Sequence, residues 1–411
     1  MKYDIRRAAV CAAGVLAASL AVAAATGKKQ CAAPEPVDVP ELMRTTKGDE
    51  VKTVADWEKV RRPELFDIFM LNEYGVRPAA AEDRSRVSFK VTDASEAMDG
   101  KAVRKLVKIT YKGPCGTLTF PATAFIPKSA KPAPAFLLIC NRSAKTNGGK
   151  NPIDPTRAVK STFWPAEEIV ARGYAAITFF NGDVAPDEKR ARCRRGVFPC
   201  VEDVKKRNAE SWATLSAWAW GASRVMDWIE TEPLIDASRV AVVGHSRGGK
   251  TALLAGVTDK RFAMACSNDS GCSGAKLNHI HLPASEHISQ IIKNFPHWFC
   301  RNYAKYIGKE MTMPFDQHEF IALVAPRLVA IASATEDSWA GQRGEWYAGR
   351  LASPAWELYG KKGLVESVYP EPEKPQQTGC ISYHLRTGKH NLTDYDWKCY
   401  MDFADRHGWT K

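Results

Sequence analysis

The sequence lacks the patterns that mark several large classes of protein. Past residue 25, no stretch approaches the roughly 20 consecutive apolar residues that a membrane helix needs. No two cysteines form a C-x-x-C pair, and the nine histidines fall into no recognised ligand motif, which argues against a zinc site. There is no dense basic tract with interleaved aromatic residues, and no zinc-finger or helix-turn-helix signature. We therefore expect no nucleic-acid partner and no membrane span after residue 25.

Long linkers and repeats are also absent. With 45% hydrophobic and 25% charged residues, the 411-residue chain has ordinary globular composition and enough apolar material for a large core. Residues 26–55 are rich in Pro, Lys and Glu and predict a tether. No low-complexity segment and no internal repeat follows, so we expect a single domain over residues 56–411.

The N-terminus has the pattern of a secretory signal. Three cations, Lys2, Arg6 and Arg7, precede an alanine-rich apolar run, and Ala23–Ala25 offers the small-x-small pattern that a signal peptidase accepts. An uncleaved membrane anchor is the alternative, but the run is only marginally long enough to span a bilayer. The sequence therefore predicts a signal peptide over residues 1–25 and a mature protein that is secreted or periplasmic.

Charge and cysteine content extend this prediction. The formal charge is +12, of which residues 1–25 contribute +2, and a basic surface favours an anionic partner. For an exported protein, an acidic polysaccharide fits better than a nucleic acid. Ten of the 11 cysteines follow the signal, and an oxidising compartment permits disulfides among them. Cys193 and Cys200, in CRRGVFPC, form the easiest local pair, although the connectivity cannot be deduced from the sequence.

Short apolar runs alternate with helical patterns along the chain. Helix candidates are TFWPAEEIVARG and WATLSAWAWGASRVMDWIE, whose apolar residues recur every three or four positions. Strands that alternate with helices predict crossover units and a mainly parallel sheet covered on both faces, an α/β fold of three layers, α/β/α. The earlier segments RKLVKITYK and GTLTFPATAFIP alternate apolar with polar residues and predict an antiparallel hairpin at the sheet edge. The predicted buried strands are APAFLLIC (133–140), YAAITFF (174–180), RVAVVG (239–244), FAMACSND (262–269) and PRLVAIASA (326–334).

One serine lies in a motif with catalytic meaning. The stretch VAVVGHSRGGKTALLAG (240–256) contains G-x-S-x-G around Ser246, between a predicted strand and a predicted helix. That context is the one a nucleophile elbow requires, where a strained turn raises the serine hydroxyl above the sheet. The motif alone is weak evidence, because a serine in a tight turn gives the same letters. Strand and helix together favour a nucleophile.

A serine nucleophile needs a histidine base within hydrogen-bond reach, and the histidine needs an acid. In this kind of fold the chain order is Ser, acid, His. His390 lies in a polar loop before the last predicted helix, where a base could reach over the carboxyl edge of the sheet. His384 belongs to a strand-like run and His407 to the end of the terminal helix, so both are predicted to be structural.

Two aspartates fit the required order. Asp269 ends the strand after the nucleophile helix, in SNDSGCSG, and Asp337 follows the next parallel strand, in ASATEDSWA. Both occupy carboxyl ends of strands, where such sheets carry their chemistry. Spacing alone does not choose between them, and Glu336 could fill the second position if the turn differs by one residue.

With these residues, the sequence resembles the glucuronoyl esterases, carbohydrate esterase family 15, and particularly their bacterial members. The six blocks that carry the resemblance run in family order between residues 244 and 397. The resemblance implies an α/β-hydrolase fold in which Ser246 is the nucleophile and His390 the base. The blocks are GHSRGGKTAL, NDSGCSGAKL, FPHWFCRNYAKY, MPFDQHEFIALVAPR, EDSWA and YHLRTGKHNLTDYDW.

The resemblance also bears on the acid. The family's acid stands either 23 residues after the serine, where this chain has Asp269, or after the following strand, where it has Asp337. Many members carry Glu at the first position, and Asp269 is one methylene shorter. Both acids remain candidates, with Asp337 preferred as the partner that orients His390.

Two cations beside Ser246 acquire roles in this comparison. The guanidinium of Arg247 could add a charged donor to the backbone N–H groups that stabilise the tetrahedral oxyanion. Lys250, one helical turn after Ser246, is similar to the family's lysine that binds sugar hydroxyls. Without the other blocks, a solvated helix face would be the simpler interpretation of Lys250.

The remaining predicted contacts concern the sugar. Trp339 matches a tryptophan that lines the sugar site, and Glu286 resembles a carboxylate that accepts hydrogen bonds from uronate hydroxyls. This chain departs from many bacterial members around Glu286, where it reads KLNHIHLPASEHISQ. His297 and Trp298 could border the site or belong to the core.

These residues together predict a secreted serine esterase, and residues 56–411 as its catalytic domain. Its predicted substrates are esters of glucuronic acid, such as 4-O-methylglucuronoyl esters that link xylan in glucuronoxylan to lignin alcohols. The resemblance implies no metal and no organic cofactor, and we expect a monomer. The alternative enzyme is an acetyl xylan esterase or another serine hydrolase of carbohydrates or peptides. The non-enzymatic alternative is a carbohydrate-binding protein with an inactive triad.

Overall fold

The structure is a computed structural model that describes residues 38–280, 282 and 284–410. The predicted signal peptide and residues 26–37 of the predicted tether lie outside the described residues. From residue 38 the chain packs against the domain: Leu42 is buried, and its carbonyl accepts a hydrogen bond of 3.0 Å from Arg61 Nε. His318 Nε2 lies 2.9 Å from the carbonyl oxygen of Pro40. The described part of the predicted tether is therefore attached to the folded unit.

A single nine-stranded sheet organises the described chain. Its strand order is β1-β2-β3-β5-β4-β6-β7-β8-β9, and every pairing from β5 to β9 is parallel. All five strands predicted from apolar runs are present, as β4 to β8. The strands are β1 (Val87–Ala97), β2 (Ala102–Lys112), β3 (Thr117–Pro127), β4 (Ala133–Cys140), β5 (Ala175–Phe180), β6 (Ile235–His245), β7 (Met264–Asn268), β8 (Leu328–Ala334) and β9 (Ile381–Arg386).

The antiparallel part of the sheet is larger than the sequence predicts. Strands β2 and β3 form the expected hairpin, and β3 joins the parallel region through antiparallel pairing with β5. The hairpin does not form the edge, however, because β1 pairs antiparallel with β2 on its outer side. No residue of β1 is fully buried. Its first six residues alternate apolar with polar side chains, but β1 contains no continuous apolar run of the kind that predicted β4 to β8.

Helices cover both faces of the sheet. The longest of the described helices is α7, which is buried along its whole length. The helices are α1 (Val54–Asp56), α2 (Arg62–Phe69), α3 (Ala79–Glu82), α4 (Ala166–Ala171), α5 (Asn181–Val184), α6 (Phe198–Val201), α7 (Thr214–Ile229), α8 (Arg247–Thr258), α9 (Ile288–Asn294), α10 (Gln317–Ala322), α11 (Gln342–Ala352), α12 (Pro354–Glu357) and α13 (Asp394–Arg406).

Alternate residues of the central strands belong to two separate cores. In β4, Leu137 and Ile139 belong to the core beneath α7 and α8, whereas Phe136 and Leu138 belong to the core beneath α4 and α13. Since successive side chains of a strand point to opposite faces, this partition confirms the predicted three-layer α/β/α sandwich. Within residues 38–410 as described, no helix combines the length and apolarity needed to cross a bilayer.

The nine described cysteines are all free thiols, so Cys193 and Cys200, the easiest local pair in the sequence, are not joined in this structure. The two side chains have different neighbours: Cys193 Sγ lies 3.3 Å from the carbonyl oxygen of His297, whereas Cys200 Sγ lies 3.7 Å from that of Gly196. Cys200 instead lies beside Cys115, whose amide donates a 3.0 Å hydrogen bond to the Cys200 carbonyl. Proximity along the chain therefore did not predict proximity in space.

Candidate active site

Ser246 lies in a sharp turn between β6 and α8. The strand ends at His245, the helix begins at Arg247, and Ser246 itself has φ 59° and ψ −123°. Such a conformation is strained for a residue with a Cβ and is held only by its surroundings. The Ser246 amide donates a 2.8 Å hydrogen bond to the carbonyl of Asn268, which ties the turn to β7. This is the geometry of a nucleophile elbow.

The glycines of the motif allow the close approach of strand and helix. A Cβ added to Gly244 would lie 1.9 Å from the Gly248 carbonyl oxygen, and one added to Gly248 would lie 3.1 Å from that of Ile139. Glycine at position 244 is therefore required sterically. Among the described residues, the Ser246 hydroxyl has no hydrogen-bond partner, so it is available to a bound molecule.

His390 lies in the loop between β9 and α13, next to the elbow. Its ring centroid is 4.3 Å from that of His245, the residue before Ser246. His390 Nδ1 lies 2.5 Å from Asp337 Oδ2. Asp337 is 6% exposed, whereas 43% of the His390 side chain remains accessible. A buried acid thus holds one nitrogen of a histidine whose ring is otherwise open, as a general base requires.

Asp269 lies close to this pair but contacts other groups. Its Oδ2 accepts a 3.2 Å hydrogen bond from Arg386 Nη2 and a 3.3 Å bond from the Asn391 amide. Burial, together with the neighbouring carboxylates of Asp396 and Glu345, raises the pKa of Asp269 well above its ordinary value, and Arg386 only partly opposes this. Asp269 is therefore a second acid near the histidine loop and fixes that loop through Arg386 and Asn391.

The acids and the histidine could also be considered as metal ligands. Asp269, Asp337 and His390 each offer a ligand atom, and these atoms lie within 4.8 Å of one another. Nδ1 of His390, however, is already in a short hydrogen bond with Asp337, and the guanidinium of Arg386 lies beside Asp269. A fixed cation beside one of three ligands opposes the binding of a metal ion. The arrangement fits a hydrogen-bonded acid–histidine pair better than a metal centre.

The other candidates for the acid and the base are exposed or bonded to other groups. Glu336 is exposed, so the turn favours Asp337 over it. His384 is buried, with Nε2 3.0 Å from Asp396 Oδ1. His407 follows the end of α13, with Nε2 3.2 Å from the Gly379 carbonyl oxygen. Both histidines have the structural environments that the sequence predicted.

Arg247 begins helix α8 directly after the serine. Its guanidinium pairs with Asp187 and lies over two aromatic rings, 4.8 Å from the Trp298 centroid and 5.4 Å from that of Phe295. An ion pair combined with cation–π contacts restricts the orientation of a long side chain. Arg247 is thus fixed next to Ser246 rather than free on a solvated helix face.

Asp187 holds this arrangement together, and the sequence analysis missed it. One of its carboxylate oxygens accepts hydrogen bonds from His297 Nε2 at 2.8 Å and Trp298 Nε1 at 2.7 Å, and the other pairs with Arg247. Although burial opposes them, these partners lower the pKa of Asp187 to about 2. Asp187 follows β5 in the chain, so a search of polar residues after every parallel strand would have found it. His297 and Trp298 border the site.

The predicted sugar contacts, Lys250, Glu286 and Trp339, lie together. Lys250 is buried, donates hydrogen bonds to the carbonyls of Ser270 and Cys272, and has Nζ 4.0 Å from Glu286 Oε2. The Glu286 amide donates a 2.9 Å hydrogen bond to the carbonyl of Trp339. Burial lowers the pKa of Lys250. A cation, a carboxylate and a ring that is 46% exposed thus form one cluster, here called the Lys250 cluster.

A second carboxylate that the sequence analysis missed supports the loop after β7. Glu345 Oε1 accepts hydrogen bonds from the amides of Ser270 at 2.9 Å and Gly271 at 2.8 Å, and Oε2 accepts one of 2.6 Å from Ser333 Oγ. Burial raises the pKa of Glu345 to about 7. Glu345 lies inside helix α11, where nothing in the local sequence distinguishes it from a solvated charge. Its role depends on tertiary packing.

Comparison with known proteins identifies the family of this chain. A family described as "Glucuronyl esterase, fungi" matches residues 115–360, more than half of the chain. Carbohydrate esterase MZ0003, from an unknown prokaryotic organism, is 35% identical over 391 residues, which cover 90% of this chain and 89% of that protein. The 4-O-methyl-glucuronoyl methylesterase of Podospora anserina is 27% identical over 331 residues, which cover 76% of this chain and only 58% of that protein.

Solved structures give the same result. A glucuronoyl esterase from Solibacter usitatus has a TM-score of 0.82 and 33% identity, over 92% of this chain and 99% of that one. A promiscuous CE15 esterase from a marine bacterial metagenome has a TM-score of 0.81 and 34% identity, over 92% and 98%. These likenesses confirm the predicted α/β-hydrolase fold and the resemblance. The chain belongs to the glucuronoyl esterases, carbohydrate esterase family 15 (CE15).

Proposed function

We propose that this protein is an exported serine esterase that hydrolyses esters of the carboxyl group of glucuronic acid. The observation that carries the proposal is the short hydrogen bond between His390 and Asp337, beside a serine in a nucleophile elbow. A binding protein without catalysis would have no use for a strained serine next to an acid–histidine pair. The non-enzymatic alternative is therefore disfavoured.

The mechanism follows from the positions of these groups. Ser246 Oγ attacks the ester carbonyl while His390 Nε2 takes its proton, and Asp337 stabilises the resulting imidazolium through Nδ1. Backbone N–H groups and the Arg247 guanidinium stabilise the oxyanion. His390 then protonates the departing alcohol, and a glucuronoyl ester of Ser246 remains. Water, deprotonated by His390, attacks that ester and releases the uronic acid and the free serine.

The Lys250 cluster supports a sugar acyl group. Lys250 and Glu286 offer a donor and an acceptor for sugar hydroxyls, and the exposed ring of Trp339 offers a flat apolar surface for C–H groups. Relatives named glucuronoyl esterase and 4-O-methyl-glucuronoyl methylesterase support a uronate at this position. The proposed natural substrates are 4-O-methylglucuronoyl esters that join glucuronoxylan to lignin alcohols.

Export and assembly form part of the same proposal. The signal-like residues 1–25 support a secreted or periplasmic enzyme that is free of the membrane after cleavage. The chemistry described uses only side chains and water, so we propose that it needs no metal and no organic cofactor. We also propose that the enzyme acts as a monomer.

A second candidate reaction is the hydrolysis of other carbohydrate esters, such as acetylated xylan. The specific observation in its favour is the 34% identity to a CE15 esterase described as promiscuous. The Lys250 cluster gives an acetyl group no partner, since an acetyl group has no hydroxyls to bind. We therefore rank uronate esters first.

The test compares benzyl glucuronate with an acetylated xylo-oligosaccharide. Wild type, Ser246→Ala and Ser129→Ala are assayed, the last being a control at an exposed serine far from the elbow. We expect the wild type and Ser129→Ala to prefer the uronate ester, and Ser246→Ala to lose at least about a thousandfold in kcat. No turnover of the uronate ester by wild type, or turnover that survives the loss of Ser246, would refute the proposal.

A further inference from the structure

A large basic cavity lies next to the residues that hold Arg247, since His297, which binds Asp187, also lines the cavity. Its volume is about 930 Å³. Seven of the residues that line it are lysine or arginine, and among its described lining residues none carries a carboxylate. Six of the seven come from two short segments, 189–194 and 205–207. The seven cations, here called the basic cluster, are Lys189, Arg190, Arg192, Arg194, Lys205, Arg207 and Arg301.

Some members of the basic cluster have partners within the protein. Arg207 pairs with Glu202 and lies 4.7 Å over the Phe198 ring. Arg301 donates to the backbone carbonyls of Arg207 and Asn208. Lys189 donates a 2.6 Å hydrogen bond to the Lys293 carbonyl. These contacts fix three of the cations, and only one of the three is neutralised by an acid.

The other four members are exposed and unpaired. Arg190, Arg192, Arg194 and Lys205 have no carboxylate within 4 Å in the described part of the chain. Glu188, two residues before Arg190, pairs with Arg195 instead. Unpaired like charges around one concave surface produce a strong positive potential and raise the local concentration of anions. These four cations repel one another and no carboxylate of the described chain neutralises them, which points to an anionic ligand.

The basic cluster is connected to the active site through two residues. His297 lines the cavity, and its Nε2 binds the Asp187 oxygen that does not hold Arg247. Cys193 also lines the cavity, and its Sγ lies 3.3 Å from the His297 carbonyl oxygen. Segment 189–194 is therefore attached to His297. One side chain, Asp187, thus separates the cavity from the guanidinium beside Ser246.

We propose that the basic cluster binds free carboxylates of an acidic polysaccharide, on uronate residues other than the esterified one. Guanidinium groups bind carboxylates through two parallel hydrogen bonds, and four or more cations in one cavity match a ligand with repeated charges. A strand of single-stranded nucleic acid fits less well, because it needs exposed aromatic rings for stacking and the aromatic residue that lines the cavity, Phe299, is 2% exposed. Any benefit of this binding for ester hydrolysis depends on the proposed function, whereas the binding of the polysaccharide does not.

The experiment measures the binding of a short oligogalacturonate, which contains no ester, to the full chain by titration calorimetry. The test variant replaces Arg190, Arg192 and Arg194 by Glu, and a second variant replaces the same three by Lys. The control replaces Lys47, Lys59 and Lys131 by Glu, which changes the formal charge equally at exposed, unpaired positions. A neutral xylo-oligosaccharide and a single-stranded oligothymidylate serve as competing ligands.

We expect wild type to bind the oligogalacturonate more tightly than the neutral oligosaccharide, and the affinity to fall as salt rises. The glutamate variant should lose about tenfold or more, the lysine variant, which keeps the charge but not the paired hydrogen bonds, should lose less, and the control should stay within about threefold of wild type. Equal losses in the variant and the control, or tighter binding of oligothymidylate, would overturn the inference. All variants are also assayed on benzyl glucuronate: unchanged turnover shows that they fold, and absent turnover in wild type refutes only the proposed function.

Discussion

His390 and Asp337 are joined by a hydrogen bond of 2.5 Å, although 53 residues separate them in the chain. The other acid of the neighbourhood, Asp269, bonds to Arg386 and Asn391 instead. The two aspartates therefore differ in what their removal does to the histidine. An acid on Nδ1 fixes the tautomer and stabilises the imidazolium, whereas an acid on Arg386 acts only on the position of the loop.

The first prediction separates the two acids. Asp337→Asn should lower kcat on benzyl glucuronate by at least about a hundredfold, because an amide on Nδ1 no longer stabilises the imidazolium. Asp269→Asn should lower it by less than about tenfold, since burial already favours the protonated form of Asp269. Steady-state kinetics of both variants, with Glu336→Gln as an exposed control, decides the matter. A larger loss from Asp269→Asn would reverse the assignment.

The second prediction concerns Asp187, a positioning residue. Asp187→Asn should lower kcat by about ten- to a hundredfold with little change in KM, because Arg247 loses its ion pair but the serine and histidine stay intact. The double variant with Arg247→Ala should be no slower than Arg247→Ala alone, since Asp187 is expected to affect catalysis through Arg247. Glu188→Gln, next in the chain but paired with Arg195, is the control. Additive losses would show that Asp187 acts by another route.

The central sheet could be predicted from the sequence because strands buried on both faces consist of continuous apolar runs. Strands β4 to β8 are covered on both faces, so their apolar runs stand out from the helical patterns around them. Strand β1 has no fully buried residue and gave no such signal. Disulfide connectivity could not be predicted for a related reason, since the spacing of Cys193 and Cys200 along the chain does not determine which groups each thiol contacts in the fold.

Some residues of the site could likewise be predicted from the sequence, and others could not. Ser246, His390 and Asp337 could be found because they follow strands or a recognisable motif, and chain order restricts their roles. Asp187 and Glu345 act by holding other residues, through contacts between segments that are distant in sequence. The cations of segment 189–194 were not recognised either, because only the fold collects them with Lys205 and Arg301 around one cavity.

The third prediction tests the steric need for glycine in the elbow. Gly244→Ala should destabilise the protein by at least about 2 kcal/mol, because the new Cβ would lie 1.9 Å from the Gly248 carbonyl oxygen. Gly116→Ala is the matched control, since its Cβ would meet Cys200 Cα at an ordinary 3.5 Å. Urea denaturation of both variants measures the difference. If Gly244→Ala is as stable as Gly116→Ala, the elbow is more plastic than this geometry implies.

The fourth prediction concerns Glu73, a fully buried carboxyl group that interacts electrostatically with Lys250. Gln317 Nε2 donates to it at 3.1 Å, yet burial raises the pKa of Glu73 to about 8. The unfolded chain has the ordinary lower pKa, so the folded state binds an extra proton. The stability that depends on this proton is present at acidic pH and is lost as the pH rises toward 8.

Glu73→Gln cannot ionise and should abolish this loss. At pH 5 the variant and wild type should have similar free energies of unfolding. At pH 8 the variant should be more stable by about 2 kcal/mol or more, since several pH units of unfavourable linkage are removed. Denaturant unfolding across this range measures the divergence, with Glu210→Gln as an exposed control that should remain parallel to wild type. A constant difference at all pH values would mean that Glu73 stays ionised, held by Lys250.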